Sequence, residues 1–239
     1  MDHRADDQFD GRGTMKDIIE VVRLVASQKS QAAQTLARAF QDDPMFTYIF
    51  PDADQRTKSL TWQWEAVIGY SLDYGEVYTT PGVDGVACWL KPGNTRVTVW
   101  RMIRTGIQLQ RAFESFRGKT RRVSMEVMNY LDQVHERLMS GPHWYLWALG
   151  VDPIRQGQGI GGQLIQPILA LADQASLPCY LETLAEQDVA FYQKYGFDVC
   201  SAGEIPGHGL KAWMMRRKPL AGRKLRDTRG KIIKNFIRR

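Results

Sequence analysis

The sequence predicts one α/β (α+β) domain with a mixed, mostly antiparallel central sheet flanked by helices on both faces. Three observations predict it. The chain has 239 residues, 44% of them hydrophobic, enough to bury a real core as a single domain. Strands and helices alternate only in the second half, whereas Pro81-Gly82-Val83-Asp84-Gly85 supplies hairpin chemistry in the first, so parallel and antiparallel pairing must coexist. An apolar strand from Trp144 runs into a basic, glycine-rich turn that opens a helix.

In order, Glu20 to Leu24 reads as a short strand. Ser27 reads as the N-cap of a helix to about Phe40, with Ala32, Ala33, Leu36, Ala37 and Phe40 at helical spacing. Asp42-Asp43-Pro44 ends that helix. A second helix over Arg56 to Asp73 carries Leu60, Trp64, Val67, Ile68 and Ser71 on one face, and Glu76 to Thr80 pairs with Val86 to Leu90. Residues 97–139 lack proline, and their periodicity predicts two or three helices punctuated by Gly106 and Gly118. The strand Tyr145 to Val151 leads into the glycine turn and a helix to about Gln174, which Pro167 should bend. Pro178 to Leu181 reads as a strand, Asp188 to Tyr195 as a helix stopped by Gly196, and Phe197 to Cys200 and Leu210 to Met215 as the last strands.

The net charge is +6, yet residues 216–239 hold eleven Lys and Arg against one acid, Asp227, so the rest of the chain is mildly acidic. A body that is not basic argues against specific nucleic acid as its ligand. The basic tail from Leu220, which includes Ile232, Ile233, Phe236 and Ile237, reads either as a solvated end or as a cationic amphipathic segment for an acidic partner or a membrane surface. The first 14 residues read as a disordered extension, leaving a domain over 15–219. No run of about 18 apolar residues occurs and the N-terminus is polar, which predicts a cytoplasmic protein. Cys88, Cys179 and Cys200 form no CxxC pair, and no histidines stand at ligand spacing, so no metal is expected.

The glycine turn admits several readings. Gly157, Gly159 and Gly162 match GxGxxG, with Glu182 twenty residues further on, but too little chain follows for a doubly wound dinucleotide domain. A Walker loop would need Gly-Lys-Ser/Thr. The stretch Gln156-Gly157-Gln158-Gly159-Ile160-Gly161, following Val151-Asp152-Pro153, instead resembles the GNAT acetyltransferases. The likeness extends through Leu181-Glu182-Thr183 and Phe191-Tyr192-Gln193-Lys194-Tyr195-Gly196-Phe197. Within that superfamily the chain is most similar to the puromycin N-acetyltransferase type, on Pro167 inside the helix, Glu204-Ile205-Pro206-Gly207, and Trp213, Met215, Arg217, Lys218 and Pro219. The specific motifs cover residues 144–219; before them the likeness lies in layout and in Asp43-Pro44.

The resemblance implies a GNAT fold and acetyl transfer from acetyl-CoA to the primary amine of a small molecule, by direct attack in a ternary complex. Leu149, Gly150 and Val151 would bond the pantetheine arm like an added strand. Arg155, Gln156, Gly157, Gln158, Gly159, Ile160, Gly161 and Gly162 would cradle the pyrophosphate at the helix N-terminus. Glu182 is implied as the base, direct or through water, and Tyr192 as the hydroxyl facing the leaving sulfur. Asp188 stands where the family usually has Asn, so its cofactor contact is in question, although it could still cap its helix. Asp42, Asp43, Phe46, Tyr48 and Trp64 are candidates for holding the acceptor, acids for its charge and aromatics for its apolar parts. A homodimer, a protein or peptide acceptor, and a non-catalytic acyl-CoA sensor remain open.

Overall fold

The computed structural model describes residues 19–105 and 118–220. The N-terminal extension, the middle of the 97–139 stretch and the basic tail beyond Leu220 lie outside the described residues. Seven strands form one sheet in the order β1-β2-β3-β4-β5-β7-β6. They are β1 (Val22–Arg23), β2 (Gly75–Thr79), β3 (Gly85–Leu90), β4 (Trp144–Val151), β5 (Cys179–Thr183), β6 (Phe197–Ile205) and β7 (Leu210–Arg217). Among the described residues only β4 and β5 pair in parallel. The helices are α1 (Lys29–Ala39), α2 (Pro44–Ile49), α3 (Ala53–Tyr74), α4 (Val99–Arg104), α5 (Gly118–Leu138), α6 (Ile160–Ala175) and α7 (Glu186–Gln193).

Side-chain alternation along the strands separates two cores. Val77, Val86, Cys88, Ala148, Tyr180 and Met214 share one cluster with Leu36 of α1, Ile68 of α3 and Val127 of α5. Ala87, Trp89, Leu146, Leu181 and Met215 share the other with Leu164 and Ile168 of α6 and Tyr192 of α7. Helices therefore cover both faces, as expected. Cys88 and Cys179 are buried and Cys200 half-buried. No described helix is long and apolar enough to cross a membrane.

Several boundaries differ from the sequence reading. Ser27 lies in a 3-10 turn (Ala26–Gln28) and does not cap α1, whose N-cap is Gln28. Helix α2 was not expected: Asp43 accepts from the Met45 and Phe46 amides (2.9 and 3.4 Å) with Pro44 in the first turn, so the dipeptide that stops one helix starts the next. Strand β6 extends past Cys200 to Ile205, paired with β7 from Ser201 onward; as a largely exposed edge strand it shows little apolar alternation from which its length could be read. Helix α7 starts at Glu186 behind Ala185, which places Asp188 inside its first turn and not at the cap.

Two features of the fold shape the site. The register of β3 against β4 shifts between Cys88 and Trp89, leaving Trp147 as an extra residue that bends β4. β4 and β5 pair only at Trp144 with Cys179 and Tyr145 with Tyr180, although they continue to Val151 and Thr183. The two strands thus splay apart, and the outer half of β4 turns an edge toward the gap.

The far end of the fold is pinned by a buried ion pair. Arg217 donates to both Asp173 oxygens (2.7 and 2.8 Å) and to the Tyr195 carbonyl (3.0 Å), while the Leu220 amide donates to Asp173 (2.8 Å). Both side chains are 4% exposed. Arg217→Met would leave a buried carboxylate without its cation, and a loss of about 3–5 kcal/mol is expected in urea denaturation.

Candidate functional site

The gap between β4 and β5 opens into a cleft of about 720 Å³ walled by the end of α1, the loop to α2, the glycine turn, the start of α6 and one side of α7. Of the residues proposed from sequence, Leu149, Gly150, Val151, Arg155, Gln156, Gly157, Gly159, Ile160, Gly161, Gly162, Asp188, Tyr192, Asp42 and Asp43 all line it. Gln158, exposed on the turn, does not.

The turn is built by its glycines and by Asp152. Gly157 and Gly159 have φ of +77° and +84°, where an L side chain would be strained, and a Cβ at either would point into open space. Asp152 accepts from the Ile154 amide (3.3 Å) and is held by Arg38 Nε (2.8 Å), tying the turn to α1. Helix α6 then starts with the Ile160, Gly161 and Gly162 amides at its N-terminus, where an α-helix has no internal partners for them and the dipole is positive. Gly162 has a packing role beside the phosphate contact expected of its amide. A Cβ there would fall 1.7 Å from Tyr195 Oη, so the missing side chain is the seat of that tyrosine.

Arg155 and Lys194, both exposed, put positive charge at the cleft mouth. Arg155 also lies 3.5 Å from Asp84. Lys194 and Arg38 were missed because a lysine or arginine on a helix carries no signal of the loop it will face.

Deeper in, Tyr192 is 8% exposed. Burial, with Asp188 and Asp43 nearby, raises its phenol well above the usual tyrosine range. Burial likewise lifts Asp43 to about 6, against the two α2 amides that hold its charged form. Thr183 Oγ1 donates to Asp188 (3.4 Å) and accepts from the Ala185 amide (3.2 Å), an arrangement that fixes the start of α7.

Glu182 stands apart from Tyr192, since alternation along β5 puts it with Tyr180 on the α5 face of the sheet while Leu181 faces α6 and α7. Its side chain is 7% exposed. Burial pushes its carboxyl up to about 7, opposed by the Tyr145 and Tyr180 phenols aimed at the charged form and assisted by Asp132. The buried Tyr180 hydroxyl makes no hydrogen bond of good geometry, so it acts on Glu182 as a nearby dipole. His135 Nδ1 lies 3.8 Å from Glu182 Oε1.

The acceptor candidates divide. Phe46 and Trp64, 2% and 5% exposed, meet edge to face in the core with ring centroids 5.6 Å apart, beside Phe40, and of the three only Phe40 reaches the cleft. Tyr48 is exposed and bonds His208 of the β6–β7 turn (3.2 Å), and His208 lies 3.3 Å from Glu126 of α5. That rim borders a groove lined by Glu126, Asn129, Tyr130, Gln133 and His208. Among the described residues no cluster of three or more His, Cys, Asp or Glu could hold a metal.

Residues 124–199 match a family model described as an acetyltransferase (GNAT) domain. Over that stretch the chain is similar to GNAT acetyltransferase domains. A Schizosaccharomyces pombe protein described as an uncharacterized N-acetyltransferase is 29% identical over 181 residues, 73% of this chain and 72% of the relative. The GNAT fold is seen again in a Corynebacterium glutamicum structure described as histone acetyltransferase HPA2 and related acetyltransferase (TM-score 0.58, 19% identity, 84% of this chain and 97% of that one). Aedes aegypti arylalkylamine N-acetyltransferase 2 gives a TM-score of 0.54 at 15% identity, covering 84% and 98%. At these identities the two structures speak for the fold alone. The splayed strands, the glycine turn and Tyr192 all fall within the matched residues.

Proposed function

We propose that the protein is an acetyl-CoA-dependent N-acetyltransferase that moves an acetyl group to the primary amine of a small molecule by direct attack within a ternary complex. The cleft between β4 and β5 carries this reading. It combines a strand edge without a strand partner from Leu146 to Val151, a helix N-terminus and two cations at its mouth. Those are the donors that a pantetheine arm and a pyrophosphate require. Acetyl-CoA would supply an activated carbonyl and a thiolate leaving group.

An amine must be neutral to attack, and with a pKa near ~10 it reaches the site almost wholly protonated. Glu182, lifted to about 7, suits a general base near neutral pH. Backbone amides near Leu149 to Val151 would hold the oxyanion. Tyr192 serves as a hydrogen-bond donor to the departing sulfur: burial makes its phenol a weaker acid than free tyrosine, which argues against full proton transfer. Because Glu182 and Tyr192 occupy opposite faces of the sheet, the amine enters from the α5 side and meets the thioester through the gap. The rim formed by Tyr48, His208 and Glu126 lies on that side and offers a carboxylate to a cationic acceptor. The puromycin-type assignment rests on the Leu181-Glu182-Thr183 and Pro167 motifs; the acceptor class is a small amine, as in the arylalkylamine enzyme named above.

Calorimetry with acetyl-CoA, followed by an amine panel read by free thiol release, tests this. Binding with micromolar affinity and amine-dependent thiol release are expected. Binding without release from any amine would favour the sensor, and no binding would overturn the proposal.

A further inference from the structure

Behind Glu182 lies a buried chain of polar groups. His143 Nδ1 is 2.7 Å from the Gly141 carbonyl, His143 Nε2 is 2.7 Å from His135 Nε2, and His135 Nδ1 is 3.8 Å from Glu182 Oε1. His135 and His143 are 7% and 3% exposed, and His135 stacks on Tyr180 at 4.2 Å.

Donor and acceptor rules fix the protons in this chain. A carbonyl oxygen only accepts, so His143 must carry its hydrogen on Nδ1. Burial lowers both histidines, His135 to about 3, so each is neutral at pH 7 and has one hydrogen. His143 Nε2 is then a lone pair, and His135 must donate to it from Nε2. That leaves the His135 Nδ1 lone pair facing the Glu182 carboxyl.

We propose that the Gly141–His143–His135 chain is a tautomer lock: it holds a lone pair against Glu182, which disfavours the carboxylate and favours a proton on Oε1. Once that proton arrives, a closure of about 1 Å converts the contact into a hydrogen bond. His135 and His143 are positioning residues in this account, and the account rests on Glu182 being the base. The other ionisable groups acting on Glu182 are Tyr145 of β4, Tyr180 beside it, Cys200 of β6 and Asp132 of α5, none of them cationic. The lock thus adds to burial in making Glu182 a strong enough acceptor to take a proton from an ammonium.

The test combines spectroscopy and kinetics. Nitrogen-15 NMR of the full-length protein at pH 6–8 should find His143 protonated on Nδ1 and His135 on Nε2; the reverse tautomer at His135, or an imidazolium at pH 6, overturns the inference. His143→Leu removes the acceptor, so His135 can move its hydrogen to Nδ1 and donate to the carboxylate. The midpoint of the acid limb of kcat/KM should then fall by about 1 pH unit. His143→Gln, whose amide can donate to the Gly141 carbonyl through its NH2 and accept from His135 on its oxygen, should keep the wild-type midpoint. An unmoved limb in His143→Leu overturns the lock, and the NMR assignment decides if that variant does not fold. If Glu182→Gln keeps both activity and limb, the base assignment itself has failed, a result distinct from failure of the lock.

Discussion

Glu182→Gln is expected to lower turnover by roughly 10²–10⁴-fold while making the protein more stable above neutral pH. The loss follows from the amine's need for a base. The gain follows from linkage: the carboxyl sits at about 7 in the folded protein against an ordinary value near 4.5. Below about pH 4.5 both states hold the proton and nothing is lost. Between about pH 4.5 and 7 the folded state keeps a proton that the unfolded chain has released, and above 7 it must ionise a buried group, so stability is lost across that window. The penalty approaches about 3 kcal/mol above pH 8. Glutamine has no such penalty, so urea denaturation should show equal stabilities near pH 4.5 and a more stable variant at pH 8.5. In the parent protein, with Glu182 as the proposed base, kcat/KM should fall as pH drops below 7. A variant with full activity, or a flat acid limb in the parent, removes Glu182 from the reaction.

Tyr192→Phe should lower kcat by roughly 10²-fold and leave coenzyme A affinity within about twofold. The ring is buried among Phe191 and Phe197, which contact it at 5.1 and 5.9 Å, so phenylalanine fills the same space and only the hydroxyl is lost. In the proposed mechanism that hydroxyl donates to a charge that develops only as the thioester breaks, so the effect belongs to turnover and not to binding. Equal losses in affinity and turnover would instead make Tyr192 a packing residue.

The glycine turn was legible because its signal is local. Positive φ at Gly157 and Gly159 and the start of α6 follow from adjacent residues. Period-two patterning set the β2–β3 hairpin, and period 3.6 the long helices. What misled was locality of another kind. Asp43-Pro44 ends α1 and begins α2, and nothing nearby says that both happen. Phe46 and Trp64 looked like ligand contacts because aromatic side chains cluster equally in cores and in pockets, and only the path of α2 and α3 sends them inward. Gly162 stands among glycines expected to meet a phosphate, and nothing in the sequence signals that its missing side chain also seats Tyr195, more than thirty residues on. His135 and His143 had no motif at all; they meet because α5 ends just before β4 begins.

By itself the sequence determined all the described strands and α-helices but the short α2, where the glycine turn falls, and which side chains could carry an acid, a base or a phosphate contact, since backbone torsions and hydrophobic period act over a few residues. Tertiary structure alone decided that β4 and β5 part after two pairs, that Glu182 and Tyr192 take opposite faces of the opening, and that Tyr48 finds His208 across 160 positions of chain. Those outcomes depend on burying apolar surface and satisfying polar groups between segments remote in sequence, and no local pattern encodes that sum.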